Sequence, residues 1–218
     1  MIVMQNKFTL DDFKTIFGEK VAQPILKLKK YGILALLTEI NGELHFVLTK
    51  RASHVPQPND ICFPGGKQEH DETLKQTALR ETEEEIGIPK DKIRILGKSN
   101  FMLTVYGGLI QPYIGFVCYA DYQNLYCQAD EVAEVFTIPV SFFHNQQPEI
   151  YDMYWRADMS VPFPYERIEN GKNYSFRECR VPELFYTYQN RTIWGLTAQI
   201  IQNIIQELQH LFDDKSQK

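Results

Sequence analysis

The stretch GKQEHDETLKQTALRETEEEIGI, residues 66–88, sets four glutamates within residues 80–85, just before a glycine suited to ending a helix. Like charges three and four residues apart on a helix repel, so the run needs something to offset it. Asp71 or Thr73 can cap the start and Gly87 the end, which predicts a helix over about 72–86. At about 100° per residue, Leu74, Ala78, Thr82, Ile86 and Leu79 fall on one buried arc. Glu81 and Glu85 continue the column begun by Leu74 and Ala78, whereas Glu83 points to the other side and Glu84 to the flank. Two carboxylates therefore project where the helix is expected to be buried.

Buried carboxylates without a cation raise one another's pKa or destabilise the fold. A divalent metal removes that difficulty, and Mg²⁺ is typically held by one or two carboxylates together with phosphate oxygens of a substrate. The preceding turn, Phe63-Pro64-Gly65-Gly66-Lys67, lets backbone groups approach a metal or phosphate without hindrance from side chains. An acidic helix end that is solvated or paired with Arg80, Lys75 and Lys90 is the alternative on charge alone. The inward phase and the Pro-Gly-Gly turn favour the metal.

Working outward, YGILALLTEINGELHFVLTKR (31–51) has two β-prone runs joined by Asn41-Gly42, a hairpin signal. A loop over 52–60 leads into a short strand, Ile61–Phe63. Further strands are expected near 92–98, 100–106, 110–120 and 133–138, a short helix at 140–145, and a hairpin around Asn170-Gly171 within 150–188. Helices at about 9–18 and 192–212 flank these; the second places Ile193, Leu196, Ile200, Ile201, Ile204, Leu208 and Leu211 at helical spacing. A single α+β domain over 1–218 is the expectation, with a mixed sheet between helices.

The net charge of −5 argues against nucleic acid or an anionic membrane as partner. Four cysteines without metal-type spacing suit free thiols in the cytoplasm, and the start MIVMQNKFTL is a poor signal peptide. The closing helix and the 150–190 hairpin are candidate homodimer faces.

The 66–88 stretch resembles the Nudix box, G-x5-E-x7-R-E-U-x-E-E-x-G-U with U a bulky apolar residue. Gly66, Glu72, Arg80, Glu81, Glu84, Glu85, Gly87 and Ile88 match, and Thr82 replaces the first U. The resemblance implies the Nudix fold, an αβα sandwich around a mixed sheet, and hydrolysis of a nucleoside diphosphate derivative with Mg²⁺ or Mn²⁺. It implies metal binding by Glu81 and Glu85, with Glu84 sharing in this or in activating water. It also implies that Arg80 orients the glutamates, the Gly66 carbonyl can be a metal ligand, and Glu72 supports.

VLTKRASHVPQPNDICFPGG (47–66), TIPVSFF (137–143) and IWGLTAQI (193–200) resemble coenzyme A diphosphatases, implying cleavage of coenzyme A to 4′-phosphopantetheine and adenosine 3′,5′-bisphosphate. Where that group has Arg-x-His-x-Gly-Gln before the strand, this chain has Pro56, Gln57, Pro58, Asn59 and Asp60. The departure leaves ADP-ribose, NADH or a dinucleoside polyphosphate as alternative substrates. A nucleotide-sensing domain without catalysis is a third class, against which the intact Arg80, Glu81, Glu84 and Glu85 set counts.

Lys50, Arg51 and Lys67 flank the site and could meet the extra phosphate of coenzyme A, and Lys50 and Arg51, with Gly65 and Gly66, are candidate substrate contacts. Lys67, His54 and His70 read as surface groups and Cys62 as a small buried residue. Glu131 is a second candidate base, and Phe101, Tyr106, Tyr113 and Phe116 read as core aromatics.

Overall fold

The computed structural model describes residues 7–216, with side chains described over 7–210. The apolar start at 1–6 and the side chain of Leu211 lie outside the described residues. The chain runs α1 (Leu10–Phe17), β1 (Lys29–Ile40), β2 (Glu43–Arg51), β3 (Ile61–Cys62), β4 (Gly65–Lys67), α2 (Leu74–Ile86), β5 (Arg94–Lys98), β6 (Met102–Leu103), β7 (Gly108–Phe116), α3 (Tyr119–Gln123), β8 (Val132–Pro139), α4 (Val140–Asn145), β9 (Glu149–Trp155), β10 (Cys179–Tyr188), β11 (Arg191–Trp194) and α5 (Gly195–Ser216).

β1 and β2 form the expected hairpin, with Asn41 and Gly42 both at positive φ as such a turn requires. β7 lies parallel to the outer edge of β1, so the sheet is mixed. On its inner edge β1 pairs with β2 from Leu36 to Ile40 but with β4 from Tyr31 to Ile33. β2 in turn leaves β1 to pair with β3 at Thr49 and Lys50. The hairpin splays, and residues 61–67 fill the fork, where the Pro64 carbonyl accepts the Leu34 N–H at 2.9 Å.

The run Ile33–Leu37 is apolar without alternation because both faces of β1 are covered. Leu34, Leu36 and Val47 pack with Ala78 and Ile86 of α2. Ala35, Leu37, Phe46 and Leu48 pack on the other face with Phe143 of α4, Tyr186 and Ile193 of the three-stranded sheet β9–β11, and Ile201 of α5. This is the αβα sandwich expected, a mixed sheet with helices on both sides. No helix among the described residues is long and apolar enough to cross a membrane.

Several boundaries differ from expectation. Gly65–Lys67, read as a turn, is a strand because β1 supplies its partner in the fork. The strand expected over 100–106 shrinks to Met102–Leu103 ahead of a turn in which the Gly107 N–H meets the Thr104 carbonyl at 3.1 Å. The strand expected over 110–120 ends at Phe116, and its last residues, 119–120, open the helix α3. Asn170-Gly171 belongs to a long connection, since β10 pairs with β9 directly. Residues 192–194 are strand, and the closing helix starts at Gly195. The N-terminal helix has its capping box at Thr9 and Asp12 and buries no side chain.

Candidate active site

α2 is seated by its ends and by a glycine beneath it. Thr73 accepts the Gln76 N–H, and the Gln76 side chain returns the bond to the Thr73 N–H, a complete capping box. Gly87 closes the helix at φ 67, donating to the Glu83 carbonyl. The backbone after α3 satisfies the next carbonyls, with Tyr126 N–H on Ile86 at 3.0 Å and Gln128 N–H on Glu85 at 2.9 Å. That loop brings Glu131 to the site. Beneath the helix, a Cβ at Gly32 would collide with the Leu74 carbonyl, so only glycine lets α2 lie this close to β1 and β4. Thr82 is fully buried with its hydroxyl bonded to the Ala78 carbonyl at 2.7 Å, so the departure from a bulky apolar residue leaves no polar atom unpaired.

Glu85 is 5% exposed and accepts the Gly65 N–H at 3.2 Å. Burial pushes its carboxyl up to about 8, against the Gly65 bond and with the help of the Glu81 and Glu131 charges. Glu81 is half-buried, and its pKa is raised by burial against the opposing charge of Arg80. Its carboxylate lies directly over Gly66, in space that a Cβ there would occupy.

Arg80 ties the rest. Its Nε and Nη2 donate to the two oxygens of Glu72 at 3.2 and 2.9 Å, Nη2 reaches Glu81 Oε1 at 3.0 Å, and Nη1 reaches Glu84 Oε2 at 2.8 Å. Nη2 also meets the Lys67 carbonyl at 3.4 Å. Glu72, held by this fork and by the Glu69 N–H and Thr77 hydroxyl, is pulled down to about 2. Thr77 falls outside the anticipated arc but is buried, because Glu72 folds back over it.

The structure thus brings Glu81, Glu85, Gly65 and Gly66 together, while the Glu84 side chain, 55% exposed, is turned to Arg80. Among the described residues no three Asp, Glu, His or Cys side chains form a ready cage. Two carboxylates beside a bare glycine backbone fit a hard cation that completes its shell with substrate oxygens and water.

Two cavities adjoin this centre. One, of about 430 Å³, reaches Gly65 and is bounded by Arg51, Cys62, Tyr106, Trp155 and Trp194. The other, of about 1270 Å³, has Glu81 in its wall. Arg51 is at the first cavity, its Nε donating to the Pro56 carbonyl at 2.9 Å. Lys50 lines neither cavity and pairs in register with Glu134 of β8. His54, His70 and Lys67 are exposed. Cys62 contacts the Thr49 hydroxyl at 3.3 Å, and burial pushes its thiol up, which suits packing and not nucleophilic attack. Tyr113 and Phe116 pack against the core, but Phe101 and Tyr106 are exposed, with Tyr106 in the first cavity wall. The sequence assigned Trp194 and Asp60 no individual role, Lys67 a place at the surface, and Lys27, Lys29 and Lys30 none. Lys27-Leu28-Lys29-Lys30, a basic cluster in an acidic chain, was the available signal for the last.

A family model described as NUDIX domain matches residues 28–154. A Photorhabdus laumondii protein named uncharacterized Nudix hydrolase NudL is 32% identical over 92% of this chain and 98% of its own. The Mus musculus peroxisomal coenzyme A diphosphatase NUDT7 is 30% identical over 68% of this chain and 64% of its own. Among solved structures, a MutT/nudix family protein from Enterococcus faecalis aligns over 93% of this chain and 70% of that one, at 16% identity and a TM-score of 0.47.

Proposed function

The chain belongs to the Nudix hydrolase family, and we propose that it cleaves the diphosphate bond of coenzyme A or its derivatives, giving 4′-phosphopantetheine and adenosine 3′,5′-bisphosphate. One observation carries the substrate reading. The segments 47–66 and 193–200, which resemble coenzyme A diphosphatases, meet at a single cavity: Trp194 Nε1 donates to Asp60 Oδ1 at 3.3 Å, and Arg51, Gly65 and Leu196 share the wall. The mouse relative named for this activity supports the same reading. We place the reaction in the cytoplasm, where four free thiols are stable.

Glu81, Glu85 and the Gly66 carbonyl are the groups that would hold Mg²⁺ or Mn²⁺. Bound there, the cation supplies Lewis acidity to the diphosphate oxygens and acidifies a water. Arg80 holds Glu81 and Glu84 in one orientation, with Glu72 fixing the guanidinium from behind. The Gly65 N–H fixes Glu85. Glu84, at the solvent edge, takes the proton of the attacking water. The water oxygen bonds to one phosphorus, the bridging P–O bond breaks, and the bridging oxygen leaves with the other phosphate.

The altered loop, whose Pro56 carbonyl occupies Arg51, favours as a second reading another nucleoside diphosphate derivative. Product analysis by mass spectrometry separates the two. Coenzyme A, ADP-ribose, NADH and diadenosine polyphosphates are offered to the purified chain with and without Mg²⁺ or Mn²⁺. Adenosine bisphosphate formed from coenzyme A ahead of the others is the expected result; preference for another substrate overturns it, and no metal-dependent hydrolysis of any would indicate a sensing domain.

A further inference from the structure

The second cavity is built from the approach to β1 and its first residues and from the end of β4 and the segment after it, and four lysines, Lys27, Lys29, Lys30 and Lys67, lie in its wall. Among the described residues none of the four is in an ion pair. The acidic groups of the same wall are Glu69 and Glu81, and Glu81 is already engaged by Arg80. Four ammonium groups around one cavity, in a chain of net charge −5, repel one another much as the glutamates of α2 do.

The backbones of three of them are fixed. The Lys29 N–H bonds to the Gly107 carbonyl at 3.1 Å, the Lys30 carbonyl accepts from the Gln68 N–H at 2.8 Å, and the Lys67 carbonyl accepts from Arg80. Lys29, Lys30 and Lys67 are therefore carried on hydrogen-bonded backbone, and their cavity has Glu81 in its wall. An anion seated there would be next to the bond being broken. The first cavity, by contrast, has no lysine in its wall among the described residues: Met102, Val105, Ile110, Met153, Trp155 and Trp194 stand there with one cation, Arg51, and two carboxylates, Asp60 and Glu183, a lining that suits an uncharged arm.

We propose that Lys27, Lys29, Lys30 and Lys67 bind the ribose 3′-phosphate of the nucleotide half, while the uncharged pantetheine arm runs into the cavity beside Trp155 and Trp194. Lysine serves as a mobile point charge for phosphate, and with the diphosphate taken up by the metal, the phosphomonoester dianion is the remaining group on coenzyme A that would use several of them. The inference rests on the coenzyme A reading above, and it makes these lysines the determinants of selection for the phosphorylated substrate.

The test compares kcat/KM for coenzyme A and for 3′-dephospho-coenzyme A in the wild type and in Lys27→Ala/Lys30→Ala. The ratio is expected to fall about 10- to 100-fold in the variant, through KM. Lys14→Ala/Lys20→Ala, equal in charge and outside the cavity, should leave the ratio at its wild-type value. An unchanged ratio in the first variant, or an equal fall in the second, overturns the assignment and leaves the coenzyme A reading standing. If the wild type cleaves neither compound, that reading has failed, and calorimetric titration without metal decides. Adenosine 3′,5′-bisphosphate binding at least about tenfold tighter than AMP, with the difference lost in Lys27→Ala/Lys30→Ala, supports the lysine site; equal affinities overturn it.

Discussion

Gly66→Ala should separate catalysis from stability. A Cβ at this position would stand 2.5 Å from Glu81 Oε2 and nearer still to Cδ and Oε1. Packed atoms come no closer than about 3.5 Å, so the carboxylate must retreat by about 1 Å or more. The displaced atoms are the end of a side chain, and Gly66 is not among the glycines at positive φ, so the backbone accepts alanine. Stability should change by less than about 1 kcal/mol, since alanine also restricts the unfolded chain. Activity should not survive so well, because a displacement of about 1 Å at a reacting centre costs roughly 10²-fold. The expected result is a thermal midpoint near the wild type with kcat/KM about 10²-fold lower and weaker Mn²⁺ binding. Its neighbour is the control: Gly65→Ala combines φ 148 with a Cβ 2.6 Å from both the Gly32 carbonyl oxygen and the Ile33 Cα, and should cost about 3 kcal/mol of stability. Wild-type kcat/KM in Gly66→Ala would refute the placement of Glu81 at the reacting centre, and a collapsed midpoint would make the glycine structural.

Glu85→Gln should lower turnover about 10³-fold while leaving the fold intact, as judged by circular dichroism; near-normal activity with Mg²⁺ or Mn²⁺ rejects its role. With metal removed by a chelator, the buried Glu85 carboxyl, raised to about 8, stabilises the fold fully below about pH 4.5 and loses that contribution as pH rises through about 8. Denaturant titrations should therefore show the wild type falling by roughly 3–5 kcal/mol relative to Glu85→Gln across this window, and parallel curves would show that the carboxyl is not buried uncompensated. Glu72→Gln should reduce kcat/KM about 10- to 100-fold with little change in KM, since it loosens Arg80 and touches no substrate; a pure KM effect would place Glu72 in the binding site instead.

The elements legible in sequence were those whose cause is local. α2 carries its own cap at Thr73, its own stop at Gly87 and an apolar phase that orients Glu81 and Glu85, so its place in the fold and the inward aim of two glutamates could be read directly. Asn41-Gly42 worked for the same reason, because its dihedral demands are met by the two residues themselves. β4 was not legible: Gly-Gly-Lys has no strand preference, and its pairing comes from β1 in a fork opened by residues on another strand. Asn170-Gly171 misled because a turn signal says nothing about which strands lie on either side. The cavity joining Asp60 to Trp194 depends on residues far apart in the chain, and no local pattern reports such a meeting.

The fate of each α2 glutamate resolves the charge repulsion with which the stretch begins. Glu83 points outward to Lys90 at 3.5 Å. Glu84 and Glu81 share Arg80, whose other edge is held by Glu72. Glu85 alone has no cationic partner among these ion pairs, only one backbone N–H and burial that keeps its carboxyl up at about 8. A fold governed by stability alone would gain from an apolar residue there, since burying a charge without a partner is costly. The one α2 glutamate without a cation thus lies beside Glu81 and next to Gly65, where a metal would relieve it, and the lysines of the cavity that Glu81 lines, unpaired among the described residues, call for an anion. The two deficits have opposite signs and both adjoin Glu81, and a metal-bound diphosphate with an additional phosphate would answer both.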